Sequence, residues 1–276
     1  MNLLDQIIAS KKIQVAKEKS HTPLSFWEKE PGMLRKPFSL KQSLNDPYKS
    51  GIIAEFKRRS PSKGVINETV LVPQVTVSYT QHGAAGLSVL TDTLYFGGTN
   101  QDLKDARIND VPILRKDFVI DEYQVVQSKA IGADVILLIA ACLSKQQVKN
   151  LARLAKELGM EILLEVHEIS ELEHISEDIQ LVGVNNRDLK SFSVDIQRSM
   201  DLALELKKNI KNKYNNDLVL IAESGISDIQ TIEKLSQAGY KGFLIGEYFM
   251  KQKDPGKAFA RFVDELNVIH QKRIVK

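Results

Sequence analysis

Glu55 and Lys57 stand two residues apart in the stretch IIAEFKRRSPSKG, residues 52–64. The stretch opens as an apolar, β-branched run suited to a buried strand. It then breaks into an alternating acid and base, followed by a basic Ser-Pro-Ser-Lys-Gly loop. Side chains two apart on a strand share a face, so a carboxylate and an ammonium lie side by side. Five other apolar runs end in the same way. PILRKDF ends in Arg115, Lys116 and Asp117; EILLEV ends near Glu165; LVGVNNRD ends at Asn185, Asn186 and Arg187. LVLIAESG ends in Glu223 and Ser224, and GFLIGE in Gly246 and Glu247. Taken singly, each is a solvated charge or a surface ion pair of little worth. Gathered in one partly desolvated place, Lys57, Lys116, Glu55, Glu165 and Glu223 would shift one another's pKa values in opposite directions. That is the condition for separating an acid role from a base role.

The elements that must gather them follow from the rhythm of the chain. From residue 51, short apolar runs alternate with amphipathic stretches such as SKQQVKNLARLAKELG and VDIQRSMDLALELKKNI. The runs are GIIAEF, LSVLT, PILRK, DVILLIA, EILLEV, LVGVN, LVLIAE and GFLIG. Their starts lie roughly 20–40 residues apart, the spacing of βα units. They are apolar on both faces, as parallel strands covered by helices are. A doubly wound open sheet and a closed (β/α)8 barrel both fit. Eight units in about 225 residues favour the barrel, and no GxGxxG fingerprint follows the first strand. In a barrel the carboxyl ends of all eight strands meet at one mouth, where active sites sit. Lys116 shares its face with Leu114 and Glu165 with Leu163, so both charges can point inward over the packed interior. The α/β barrel is expected over residues 51–276. Residues 1–50 form an N-terminal helical extension that packs on it, the whole being one structural domain. The extension opens with an amphipathic helix carrying Leu3, Leu4, Ile7 and Ile8 on one side.

Composition narrows the function. The 276 residues carry 38 basic and 35 acidic side chains, a net charge of +3 that is too mild to argue for nucleic acid. The run ELKKNIKNKYNN reads as the solvated C-terminal end of a helix, where cations suit the dipole. The single cysteine, Cys142, excludes a disulfide framework and a cysteine zinc site, and reads as core packing. Histidines 21, 82, 167, 174 and 270 have no metal-ligand spacing. No segment reads as a signal peptide or a membrane span, so the expected compartment is the cytoplasm.

A second signal concerns phosphate. Gly225 follows the seventh strand, and Ser227 with Gln230 has the pattern of a capping box opening a helix. Gly246 at the end of the eighth run permits a close backbone approach. Phosphate commonly binds at these two loops in barrels, so an anionic, phosphorylated substrate is expected.

These segments resemble one family. IIAEFKRRSPSKG is similar to the signature of indole-3-glycerol-phosphate synthases, and ILRKDFVIDEYQ, LLEVHE, VGVNNRDL, IAESGI and FLIGEYFM resemble that family's motifs in the same order. PFSLKQSL resembles its N-terminal extension, so the likeness spans essentially the whole chain. The resemblance implies a carbon–carbon lyase (a carboxy-lyase) of tryptophan, hence aromatic amino-acid, biosynthesis. It would close the ring of 1-(2-carboxyphenylamino)-1-deoxyribulose 5-phosphate, releasing carbon dioxide and water. It also implies no metal and no organic cofactor. Some members are fused to a phosphoribosylanthranilate isomerase barrel; 276 residues are too few for a second barrel, so a monofunctional chain is expected, as a monomer. By motif, Lys116 resembles the general acid of condensation and Glu165 its acid/base partner. Lys57 resembles the residue that holds the substrate carboxylate, with protonation of the leaving hydroxyl open to either lysine. Glu55, Asn185, Glu223 and Ser224 resemble the orienting shell. Ser60, Gly225, Gly246 and the Glu247 amide resemble a phosphate cradle, with the Glu247 side chain expected to turn away. Arg187 is a candidate for the anthranilate carboxylate. Phe96 and Phe118 are candidates for its ring, or else core.

Two rivals remain at this point. A phosphoribosylanthranilate isomerase needs a Cys and Asp pair at the mouth, but Cys142 lies beyond the fourth run. A non-catalytic phosphosugar-binding barrel would account for the glycines and Ser60, but not for Lys57, Lys116 and Glu165 together.

Overall fold

The computed structural model of the chain describes residues 3–187, 193–209 and 218–274. All eight apolar runs are strands: β1 (Ile52–Phe56), β2 (Gly86–Leu90), β3 (Ile113–Lys116), β4 (Val135–Ile139), β5 (Glu161–Val166), β6 (Leu181–Asn185), β7 (Val219–Glu223) and β8 (Tyr240–Ile245). Each pairs in parallel with its sequence neighbours, and β8 returns to β1 through Ile53 opposite Leu244. The sheet is therefore a closed (β/α)8 barrel.

Strand alternation divides the core in two. Ile53, Leu114, Leu137, Leu163, Ile221 and Leu244 fill the barrel interior. Ile52, Ala54, Phe56, Leu138 and Leu164 face outward and pack under the helices. After β5 the crossover is only a 3-10 turn, Ile169–His174, because the 14 residues from His167 to Gln180 leave little room for a longer helix. Helix Ile196–Asn209 reaches into the Lys-rich run; residues 210–216 of that run, and Asp188 and Leu189 of VGVNNRDL, lie outside the described residues. Among the described residues no helix is long and apolar enough to cross a membrane.

The first 50 residues touch both ends of the barrel. Helix α1 (Leu3–His21) lies at the carboxyl end, burying Ile7, Lys11 and Val15 at helical spacing. Helix α2 (Leu40–Leu44) sits at the opposite end, where Leu40 and Leu44 join the interior cluster as a plug. Two carboxylates hold that plug. Glu161 accepts from the N–H groups of Leu40 (2.8 Å) and Lys41 (3.1 Å) and from the Ser39 hydroxyl, placing negative charge at the start of α2. Asp134, fully buried, accepts from the N–H groups of Phe38 and Ile113 and pairs with Arg35 and Arg107.

Candidate active site

The interior rows of the strands continue upward into charge. Two residues beyond Ile53, Leu114, Leu163, Gly183 and Ile221 stand Glu55, Lys116, Glu165, Asn185 and Glu223. Lys116 Nζ lies 2.7 Å from Glu165 and 2.9 Å from Glu223. Lys57 Nζ lies 2.5 Å from Glu55. Asn185 Nδ2 donates to Glu165 Oε1 at 3.0 Å, and Ser88, on β2, donates to Glu55 at 3.4 Å.

Two ammonium groups thus face three carboxylates, and the third carboxylate is in surplus. Burial disfavours the Lys116 charge, but Glu165, Glu223 and Glu55 outweigh it and hold its pKa above that of an ordinary lysine. Burial likewise opposes ionisation of Glu165, yet Lys116, His167 and Asn185 keep it far below the usual carboxylate range. Glu223 is the surplus group. Burial raises it, Lys116 offsets part of that, and Glu165 and Glu55 push it further, up to about 7. Its Oε1 has no hydrogen-bond partner among the described residues. The cluster therefore holds an ionised carboxylate beside one that exchanges a proton near neutrality, the separation of acid from base that the sequence calls for.

Backbone features make room for these groups. A Cβ at Gly183 would collide with the Glu223 carboxylate, and one at Gly246 with that of Glu55. At the end of β7, Ser224 (φ 67°) and Gly225 (φ 73°) are both left-handed. For Ser224 that conformation costs on the order of 1 kcal/mol. Asn186 holds it there: its Nδ2 donates to the Ser224 carbonyl at 3.1 Å, while Ser199 donates to its Oδ1 at 2.6 Å. Asn186 is thus a buried brace for the turn.

The cluster forms the floor of a cavity of about 480 Å³, within the usual range for a small-molecule site. Ser60, Ser224, Gly225, Gly246, Glu247, Arg187, Phe96 and Phe118 all line it. Phe96 and Phe118 pair with ring centroids 6.3 Å apart. Leu3, Leu4 and Ile7 of α1 line the same cavity, so the extension supplies part of its wall. Arg187 reaches the Ser62 hydroxyl (3.4 Å) and the Glu247 carboxylate (3.2 Å), beside the phosphate-cradle candidates.

Some expectations need correction. The Glu247 side chain does not turn away; it points to Arg187 and lies 3.7 Å from Lys63, because two cations at the rim outweigh an outward rotamer. The helix after β7 starts one residue later than read. Asp228, not Ser227, caps Ile229–Ala238, its carboxylate accepting from the N–H and hydroxyl of Thr231. Two of the polar ends are structural. Arg115 points outward to Thr91, Ser128 and Gln127, and Asp117 pairs with Arg115 and with Lys11 of α1. The two arginines of the β1 loop are anchors as well. Arg58 grips Asp102 with two hydrogen bonds, and Arg59 donates to the carbonyls of Thr93 and Leu94. Cys142 packs against both core clusters in the turn after β4, its thiol pushed up to about 12 by burial and by Glu165.

A model of the indole-3-glycerol phosphate synthase family matches residues 4–262. The chain belongs to the indole-3-glycerol phosphate synthase family. It is 44% identical over 265 residues to the indole-3-glycerol phosphate synthase of Bacteroides thetaiotaomicron, covering 95% of this chain and 98% of that one. It is 41% identical to the enzyme of that name from Polynucleobacter asymbioticus, covering 94% and 98%. The crystal structure of tryptophan synthase subunit alpha from Legionella pneumophila superposes with a TM-score of 0.58 at 13% identity, over 83% of this chain and 97% of that one, a likeness of fold.

For a member of the indole-3-glycerol phosphate synthase family, three groups near the cavity escaped sequence reasoning. Lys11 was hidden as the single cation in the apolar stripe Ile7–Lys11–Val15. Asp92 ends the second run, LSVLTD, which was not counted among the polar ends. His167, two residues after Glu165, reads from sequence spacing only as a scattered histidine. The legible signal in each case was a charge at a position whose spacing demands burial.

Proposed function

We propose that this chain is an indole-3-glycerol-phosphate synthase, converting 1-(2-carboxyphenylamino)-1-deoxyribulose 5-phosphate to indole-3-glycerol phosphate. The observation that carries the reading is Lys116 held between Glu165 and Glu223 beneath a cavity with an apolar wall and a cationic, glycine-containing rim. The aryl carbon attacks the ketone while Lys116 gives a proton to the carbonyl oxygen, so charge does not build up on it. The carboxylate then leaves as carbon dioxide, its bonding pair returning to the ring. The hydroxyl leaves as water with a proton from one of the two lysines. A ring proton passes to a carboxylate, for which Glu165 and Glu223 are both in place. Phe96, Phe118 and α1 suit the anthranilate ring. Ser60, Gly225, Gly246 and the Glu247 amide suit the phosphate, with Arg187 and Lys63 supplying positive charge. That position moves Arg187 from the anthranilate carboxylate toward the phosphate, leaving Lys57 as the carboxylate's partner.

The same reading has the extension and barrel acting as one domain, as a cytoplasmic monomer with no nucleic-acid or membrane partner. Purified protein is expected to turn the substrate into a fluorescent indole product without added metal. Saturable binding of substrate with no indole signal would instead support a binding protein on the same scaffold.

A further inference from the structure

Glu165 has a neighbour that the reaction above leaves unused. The His167 side chain is nine-tenths buried, with Nε2 3.3 Å from Glu165 Oε1 and Nδ1 3.7 Å from Glu171 Oε2. Glu171, on the 3-10 turn Ile169–His174, is fixed in place by accepting the His167 backbone N–H at 2.6 Å. Among the described residues neither ring nitrogen makes a hydrogen bond, so the two carboxylates face the ring as ion-pair partners. A neutral imidazole has one N–H and one lone pair, so between two carboxylates its lone pair would face like charge. Only the imidazolium offers a donor to each. Burial resists that charge, but Glu165 and Glu171 outweigh it, raising the ring to about 9. The other titratable groups around this pair do not displace it. Lys116 approaches Glu165 on its other oxygen, and the Cys142 thiol senses Glu165, Glu171 and, from α1, Asp5. His174 turns its ring nitrogens to the carbonyls of Glu171 and Leu143.

We propose that His167 is a positioning residue of the reaction: a charged imidazole that, with Asn185, fixes Glu165 Oε1 so that Oε2 stays turned to Lys116 and the reacting substrate. The proposal rests on Glu165 acting as the acid/base partner. Glu165 is thereby held by a cation on each oxygen and stays ionised while Lys116 moves its proton.

Losing the imidazolium raises the Glu165 pKa, moving the acidic limb of the kcat profile upward. It also removes the fall in rate that deprotonation of His167 causes as pH rises through about 9. His167→Gln is expected to lower kcat roughly tenfold or more with KM within about threefold, and to change both limbs in these directions. Glu171→Gln keeps the ring but removes one carboxylate, so its basic limb moves down. An NMR titration of the His167 imidazole in the unmutated enzyme is expected to show a midpoint near 9, lowered in Glu171→Gln. Unchanged limbs in these variants, or a His167 midpoint below the ordinary histidine value, overturns the proposal. If His167→Gln does not fold, the titration and Glu171→Gln decide alone. Lys116→Met is the control: retained turnover there removes the reading of the whole site, whereas its inactivity beside an unaffected His167→Gln removes only His167.

Discussion

Lys116→Met is expected to lower kcat by roughly 10²–10⁴-fold while KM stays within a few-fold. Methionine keeps most of the side chain's unbranched bulk but cannot give a proton to the substrate carbonyl. Binding rests on the rim and the apolar wall, which the substitution does not touch. The change also leaves Glu165 and Glu223 buried without the ammonium they share at 2.7 and 2.9 Å. Removing one partner of a buried ion pair costs about 3–5 kcal/mol when the other stays charged. Here Glu223, already raised to about 7, can take a proton and soften that cost. Lys116 lowers the Glu223 carboxyl, so without it that group moves above 7, and the variant is expected to gain stability relative to its parent as pH falls toward 7. Single-turnover indole formation reads the kinetic effect, and denaturant unfolding at pH 7 and pH 9 reads the other. Turnover within a few-fold of the parent would remove Lys116 from the mechanism.

The second large effect is on stability. Lys11→Met is expected to destabilise the fold by about 3–5 kcal/mol. Lys11 Nζ lies 2.7 Å from Asp92 and 2.8 Å from Asp117, and all three side chains are about 2% exposed. Burial raises the Asp117 carboxyl, but Lys11 and Arg115 overcome it and hold it down to about 2, against an ordinary 3.8. That depression stabilises the fold above pH 3.8 and is lost as pH falls through about 2. The raised Lys11 pKa contributes below 10.5 and is lost as pH climbs past it, so the triad acts across the whole neutral range. In the variant two carboxylates stay buried with one fewer cation, and α1 loses its grip. Leu3, Leu4 and Ile7 then leave the cavity wall, so KM is expected to rise. Converting Asp92 and Asp117 to Asn in the same chain removes the stranded charge and is expected to recover part of the loss. Unfolding free energies of the three proteins decide this; a loss under about 1 kcal/mol for Lys11→Met contradicts the buried-pair account.

The barrel was legible because each buried strand leaves its own local mark, an apolar run of fixed length, and eight such marks allow few topologies. The acid–base floor was legible for a related reason. Strand alternation carries the interior row directly into Glu55, Lys116, Glu165 and Glu223. Which charges serve structure was not legible. Alternation turns Arg115 and Asp117 to the face opposite Lys116, but what they do there is set by partners seen only in three dimensions, Thr91, Gln127 and Lys11. Lys11 and Asp117 are 106 residues apart, and nothing local marks them as partners. The orientation of Glu247 was missed because it depends on Arg187 and Lys63, which reach it from two other loops. Its backbone position was readable, its rotamer was not.

Closure between β1 and β8 also has a bearing on how the protein is made. β1 is the first barrel strand to leave the ribosome and β8 the last, with 184 residues between Phe56 and Tyr240 counted inclusively of the latter. At about 5–20 residues per second, β1 waits roughly 10–40 s with one edge unpaired. Throughout that interval Glu55 and Lys57 lie beside an open seam, and Gly246, which makes room for the Glu55 carboxylate, does not yet exist. No partial chain can hold a working site. Catalytic competence arrives in one step, with the strand that seals the seam.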